Sequence, residues 1–138
     1  MDITYQSTLP TAAQFAALFE TTGWNAERHR SPQELHQALQ SSWYAVSAYH
    51  GKRLVGFGRV ISDGVLHALI VEMIVAPEYQ RQGIGHTILN DLVARCRSAS
   101  IEDIQLFCAK GKAEFYLKHG FVPRSADAPG MQLQRASV

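Results

Sequence analysis

Two cysteines, Cys96 and Cys108, are all the chain offers for disulfides, and neither lies in a metal-ligand spacing. That excludes a disulfide framework and a zinc motif, and no metal is expected; both thiols read as reduced in a cytoplasmic protein. Long apolar runs are equally scarce. The longest, Val65 to Ala76, contains His67 and Glu72 and is too short to span a bilayer. The opening residues, Met-Asp-Ile-Thr-Tyr, carry neither the basic start nor the apolar stretch of a secretory leader. Neither sign of charge is in excess, since 13 basic side chains stand against 12 acidic ones. Binding nucleic acid by phosphate neutralisation needs a larger basic surplus, so neither nucleic acid nor a membrane is expected as a partner. What remains is 46% apolar and 18% charged residues over 138 positions, the make-up of one globular domain over 1–138 with a core of its own.

Along the chain, Ile3 and Tyr5 alternate with polar residues as a weak first strand. Thr11-Ala-Ala-Gln14 and Ser31-Pro-Gln-Glu34 are capping boxes, the second with proline at the first helical position. Phe15, Leu18 and Phe19 supply the apolar face of one helix; Leu35, Ala38 and Leu39 supply that of the next. Trp24, in the polar segment between them, is either a core anchor or the wall of a pocket. Trp43 to Tyr49, Leu54 to Ile61 and Val65 to Val75 read as three strands joined by turns at His50-Gly51 and Ser62-Asp63-Gly64, an antiparallel meander. A helix follows from Gly83 to about Ser98, with Ile84, Ile88, Leu92 and Cys96 on one stripe. Ile104 to Cys108 is a short strand that the intervening helix allows to run parallel to the long one. Ala113 to His119 is a short helix capped by Gly120, and Phe121-Val122 and Met131 to Gln134 read as closing strands. The class is α+β, a mixed sheet with helices on both faces.

The stretch Val75-Ala-Pro-Glu-Tyr-Gln-Arg-Gln-Gly-Ile-Gly85 carries the chemistry. A strand, a glycine turn and a helix start bring unpaired N–H groups and the positive end of a helix dipole together, so the ligand carries phosphates. A triphosphate loop requires Lys-Ser/Thr after the glycines, where this chain has His86-Thr87. A dinucleotide turn requires a third glycine, where it has Ile88.

Gln80-x-x-Gly83-x-Gly85, preceded by Val75-x-Pro77, resembles the acyl-coenzyme A signature of the GCN5-related N-acetyltransferases (GNAT). Phe115-Tyr116-Leu117-Lys118-His119-Gly120-Phe121 is similar to a second segment of that family. Gly23-Trp24, Arg59 to Gly64 and Gly111 to Tyr116 resemble pieces of its small bacterial members and of plastid and cyanobacterial arylalkylamine acetyltransferases. The resemblance implies the GNAT fold, with a mostly antiparallel sheet of about six to seven strands. It divides the chain into variable acceptor-side helices over 1–42 and an acetyl-CoA-binding core over 43–135. It also implies transfer of acetyl from acetyl-CoA to a primary amine by direct attack in a ternary complex. The acceptor expected is a small amine, to which Trp24, Trp43 and Tyr44 lean; a peptide or lysine acceptor, or a coenzyme-A-binding sensor without catalysis, stands as the alternative. A homodimer is common in such proteins.

For individual residues the resemblance implies the following. Backbone N–H groups of Gln80, Arg81, Gln82, Gly83, Ile84, Gly85 and His86 hold the pyrophosphate, and Phe115 and Tyr116 also touch the cofactor. A bulged long strand parts from its parallel neighbour and offers Met73, Ile74 and Val75 to the pantetheine arm, with the Val75 N–H as donor to the thioester oxyanion. Tyr116 is the acid that protonates the leaving thiolate, a phenol of pKa about 10 being protonated at pH 7. Glu72 binds the acceptor, acts as the base, or pairs with Arg59 across the meander, since a carboxylate in an apolar run needs a use or a partner. Asp63 is conformational, and Cys108 is a small buried hydrophobe. Lys110 stands where many relatives carry an asparagine that bonds the pantetheine.

Overall fold

The structure, a computed structural model, describes residues 2–136 of the 138. Strands β1 (Ile3–Gln6), β2 (Tyr44–His50), β3 (Arg53–Ser62), β4 (His67–Val75) and β5 (Asp103–Leu106) form one sheet in sequential order. The first three pairings are antiparallel and the last, β4 with β5, is parallel. Helices α1 (Ala12–Glu20) and α2 (Pro32–Leu39) precede the meander, and α3 (Ile84–Ser98) is the crossover from β4 to β5. Both expected capping boxes form. Thr11 Oγ1 accepts from the Gln14 N–H at 3.1 Å and Ser31 Oγ from the Glu34 N–H at 3.1 Å, and each third-residue side chain reaches back to the cap N–H. Caps of this kind contribute about 0.5–2 kcal/mol each.

The two faces of the sheet are packed differently. Phe15 and Leu18 of α1 and Leu39 of α2 close over Ala45, Tyr49, Leu54, Phe57 and Ile74, with Phe15 edge-on to Phe57 at 5.1 Å. On the other face α3 lies close, because Gly56 and Gly58 present no side chain to it. A Cβ at Gly58 would stand 2.6 Å from Met73 Sδ, 2.9 Å from Ile88 and 3.0 Å from Leu92. Ile88, Leu89, Leu92 and Cys96 are buried beneath this helix as its stripe requires.

Several expectations are corrected. β4 starts at His67 rather than Val65: Val65 and Leu66 are 69% and 63% exposed, in a loop that Asp63 holds by accepting the N–H groups of Val65, Leu66 and His67. Three donors on one oxygen stabilise the carboxylate and hold the Asp63 pKa below its usual value, which fits its conformational reading. β5 ends at Leu106, so Cys108 is exposed and is not a core residue. The sheet has five strands among the described residues. Phe121-Val122 is flanked by Gly120 and Pro123, and Met131 and Leu133 are 85% and 91% exposed, so their alternation buries nothing that would offset the entropy of ordering a strand.

The chain divides into two units, residues 1–106 and 107–138. The second holds α4 (Ala113–Lys118). Gly120, at φ 88°, closes α4 as expected: the Gly120 N–H bonds Leu117 O at 3.2 Å and the Phe121 N–H bonds Tyr116 O at 3.1 Å.

Candidate active site

The parallel ladder between β4 and β5 begins at His67–Asp103 and stops at Ile70–Leu106. β4 continues to Val75 with pairing only to β3. In that second half, Glu72 and Met73 together face Gly58, because the register jumps from Phe57–Ile74 to Arg59–Val71. This is a β-bulge, and Glu72 adopts φ 51° to make it. A glutamate in the left-handed region costs of order 1 kcal/mol or more and persists only where its surroundings hold it.

The holding group is Arg59. Its Nε donates to Glu72 Oε1 at 2.6 Å, and its Nη1 donates to Ala38 O at 3.1 Å and Ser42 Oγ at 3.4 Å. Arg59 is 7% exposed, so this is a desolvated guanidinium joining the bulge to the C-terminal end of α2. Glu72 Oε2 has no hydrogen-bond partner among the described residues. The pairing of Glu72 with Arg59 was legible from the meander. The second tie, to the α2 carbonyl, was not; its signal was Arg59 sitting two residues after Phe57, on the core face of a period-2 strand.

At the end of β4 the Ala76 N–H bonds Val55 O on β3 at 2.8 Å. Successive N–H groups of a strand point to opposite edges, so the Val75 N–H is directed to the edge that β5 has left. Gln80 Nε2 donates to Val75 O at 3.0 Å and folds the following turn back on the strand end. That turn passes through the single-turn helix Pro77–Tyr79, then Arg81 at φ 64° and Gly83 at φ 87°, and enters α3 at Ile84. Thr87, bonded to Gly83 O at 3.0 Å, is the first α3 residue whose N–H returns to the turn. The turn thus ends at the positive end of a helix of 15 residues, and one amide of the expected set, the Gln80 N–H, is taken by Pro77 O at 3.4 Å. Arg81 and Gln82 are exposed here, and His86 contacts Asn90 at 3.0 Å through its ring.

In the second unit Tyr116 is half-buried, with its ring edge-on to Phe115 at 5.1 Å and to Phe121 at 6.0 Å. Burial, and secondarily the negative charge that Cys108 can carry, push its phenol up to about 12.

Two aromatic expectations change. Trp24 is 49% exposed and touches Phe19 of α1 edge-on at 5.9 Å, so it is not a core anchor. Trp43 and Tyr44 belong to the α3 side. The Arg95 guanidinium lies 4.4 Å from the Trp43 ring, and the Tyr44 hydroxyl donates to Asp91 at 2.9 Å.

The acetyltransferase (GNAT) domain family matches residues 10–129. The chain belongs to the GNAT family. Serotonin N-acetyltransferase 2, chloroplastic, of Oryza sativa subsp. japonica is 31% identical over 111 residues, covering 78% of this chain and 56% of its own length. Histone acetyltransferase TAP1 of Glycine max is 32% identical over 127 residues, covering 84% and 52% respectively. Among solved structures, a probable acetyltransferase of unknown function from meticillin-resistant Staphylococcus aureus superposes with a TM-score of 0.84 at 26% identity, over 97% of this chain and all of that one. This chain spans about half the length of the curated relatives it matches. GNAT acetyltransferases use acetyl-CoA as co-substrate. Among the described residues no helix is long and apolar enough to cross a membrane, and no cluster of three or more His, Cys, Asp or Glu could hold a metal ion.

Proposed function

We propose that this GNAT chain transfers the acetyl group of acetyl-CoA to a small primary amine by direct attack in a ternary complex. The observation that carries the reading is the coincidence, within one short segment, of a lost parallel partner, a bulge and a glycine turn that opens a long helix. The half-paired end of β4 supports insertion of the pantetheine arm as an added strand along Met73, Ile74 and Val75. The turn from Arg81 to Gly85 then takes the pyrophosphate on its backbone amides, the Gln80 N–H being already bonded to Pro77 O, with Gly83 and Gly85 allowing close approach. The Val75 N–H stabilises the oxyanion as the thioester carbon becomes tetrahedral.

The acceptor arrives as an ammonium. Glu72 Oε2 takes it, Arg59 holding the carboxylate in place through the other oxygen, and the proton leaves through Glu72 or a water next to it. After attack, the carbon–sulfur bond breaks and the phenol of Tyr116 supplies the proton to the thiolate; the proton still on the attacking nitrogen is then released through water, and its return restores the phenol. With its pKa raised to about 12 the phenol carries its proton at neutral pH until the thiolate forms.

The rice relative's name, with serotonin as its substrate, supports a small amine; the soybean relative's name supports a histone instead. A single assay separates them: thiol release from acetyl-CoA with arylalkylamines, short alkylamines and a histone-tail peptide offered in parallel. Turnover of the amines and not the peptide is expected. Turnover of the peptide alone overturns the acceptor, and the absence of any thermal shift with acetyl-CoA overturns the whole reading.

A further inference from the structure

Beyond Glu72 on the same face of the sheet lies a hollow of about 360 Å³, lined by Ile61, Leu69, Gln105, His67, Asp103 and Asp63 among others. That volume is within the range of small-molecule sites. Its floor is a cross-strand row, Ile61 paired with Leu69 and Leu69 with Gln105. Ile61 follows Arg59 by two residues, so the row continues the face on which Arg59 holds Glu72. Arg59 ties α2 down by the Ala38 carbonyl, while Ile61 is 40% exposed, so the cover of this face gives out between the two. Leu69 precedes Glu72 by three residues, about 10 Å along an extended strand.

The charges around the hollow are already engaged. Asp103 accepts from Gln105 Nε2 at 2.8 Å and pairs with His67 Nδ1 at 2.5 Å, and Asp63 is taken by the amides of its own loop. No lysine or arginine lines it. An apolar floor under an internally paired polar rim recognises an uncharged, flat group, not a second charge.

We infer that this hollow is the distal subsite of the acceptor, taking the aryl end of an amine whose nitrogen lies at Glu72. The inference rests on the amine-acceptor reading. It adds where selectivity among amines is set: Ile61 and Leu69 carry the ring, and the His67–Asp103 pair and Gln105 offer polar contacts to ring substituents.

The test is binding, read without turnover. A 2-arylethylamine and ethylamine are titrated calorimetrically into the coenzyme-A complex of the wild type and of Ile61→Trp, which fills the hollow. The wild type is expected to bind the aryl amine about tenfold tighter than ethylamine, a preference of the size a few apolar contacts supply. Ile61→Trp is expected to abolish that preference, and Ile61→Phe to reduce it. A thermal shift with acetyl-CoA establishes that both variants are folded. Equal wild-type binding of the two amines, or an aryl preference that survives Ile61→Trp, overturns the subsite. If the wild type binds the aryl amine selectively but releases no thiol with it, the catalytic reading fails and the subsite stands.

Discussion

The two faces of the sheet are built to opposite rules. Under α3 the surface is dry and shaped by subtraction: Gly56 and Gly58 remove two side chains so that Ile84, Ile88 and Leu92 can seat on backbone. Under α1 and α2 the same strands carry a buried guanidinium, a strained glutamate and an open hollow. Even β4 follows this division, with Met73 against Gly58 on the α3 side and Glu72 tied to Arg59 on the other. The bulge is what makes that possible, since it places two adjacent residues opposite one and aims their side chains to different work. Both faces hold the geometry by apolar packing, and the α1–α2 face adds polar groups where that packing ends.

If that division is right, removing packing on the α3 face lowers stability and spares chemistry. Leu92 is fully buried, and Leu92→Ala is expected to cost about 2–5 kcal/mol by denaturant unfolding. Thiol release per folded molecule should be retained, and a specific loss of turnover in the folded variant would break the comparison.

On the opposite face the reverse is expected. Glu72→Gln keeps the size of the side chain and removes its charge, so turnover with an amine should fall by roughly 10²-fold or more. It leaves Arg59 buried with a weaker partner, so some stability is lost as well, about 1–3 kcal/mol. A Glu72→Gln enzyme with wild-type turnover at every pH would remove Glu72 from the mechanism.

Tyr116 supplies a test with a pH signature. Its phenol is raised from 10 to about 12 in the folded chain, so between those values the folded state holds a proton that the unfolded state has released. Stability is therefore complete below pH 10 and falls as pH rises towards 12, by at most about 2–3 kcal/mol. Tyr116→Phe should flatten that fall in urea titrations and lower turnover at neutral pH. An unchanged slope between pH 10 and pH 12 would contradict the burial of the phenol; unchanged turnover would remove it as the acid.

What could be read in advance follows from which forces are local. Capping boxes, the α3 stripe, the meander and the glycine turn depend on residues close in sequence, and they stand where the periodicities put them. The Arg59–Glu72 pair was legible because adjacent antiparallel strands bring such residues together. The closing strands were not, because Met131 and Leu133 have the right alternation and no burial; a strand needs a partner edge, which a pattern cannot reveal. Val65 and Leu66 misled for a related reason, since the three amides bonded to Asp63 outweigh two apolar side chains left in water. The hollow is a gap between rows of three strands, and no single stretch encodes it.

The smallest effect bears on the aromatic residues, where sequence and structure part most clearly. Trp43 immediately precedes β2 and Tyr44 opens it, an attractive place for an amine-binding aromatic. Yet the Trp43 ring is occupied by Arg95 from the last turn of α3, and Tyr44 is fastened to Asp91 one turn earlier. Burial and, next, the Asp91 hydrogen bond raise the Tyr44 pKa, so the contact is made by the neutral phenol. A cation over an indole at an exposed site contributes about 0.5–1 kcal/mol. Arg95→Met is accordingly expected to lower stability by no more than that, and to leave KM for every amine in the panel as it was. If Trp43 instead formed part of the acceptor site, freeing its ring would change KM for aromatic amines while sparing short alkylamines. The pattern of KM across the panel, not the size of the stability change, decides which face of the sheet the acceptor meets.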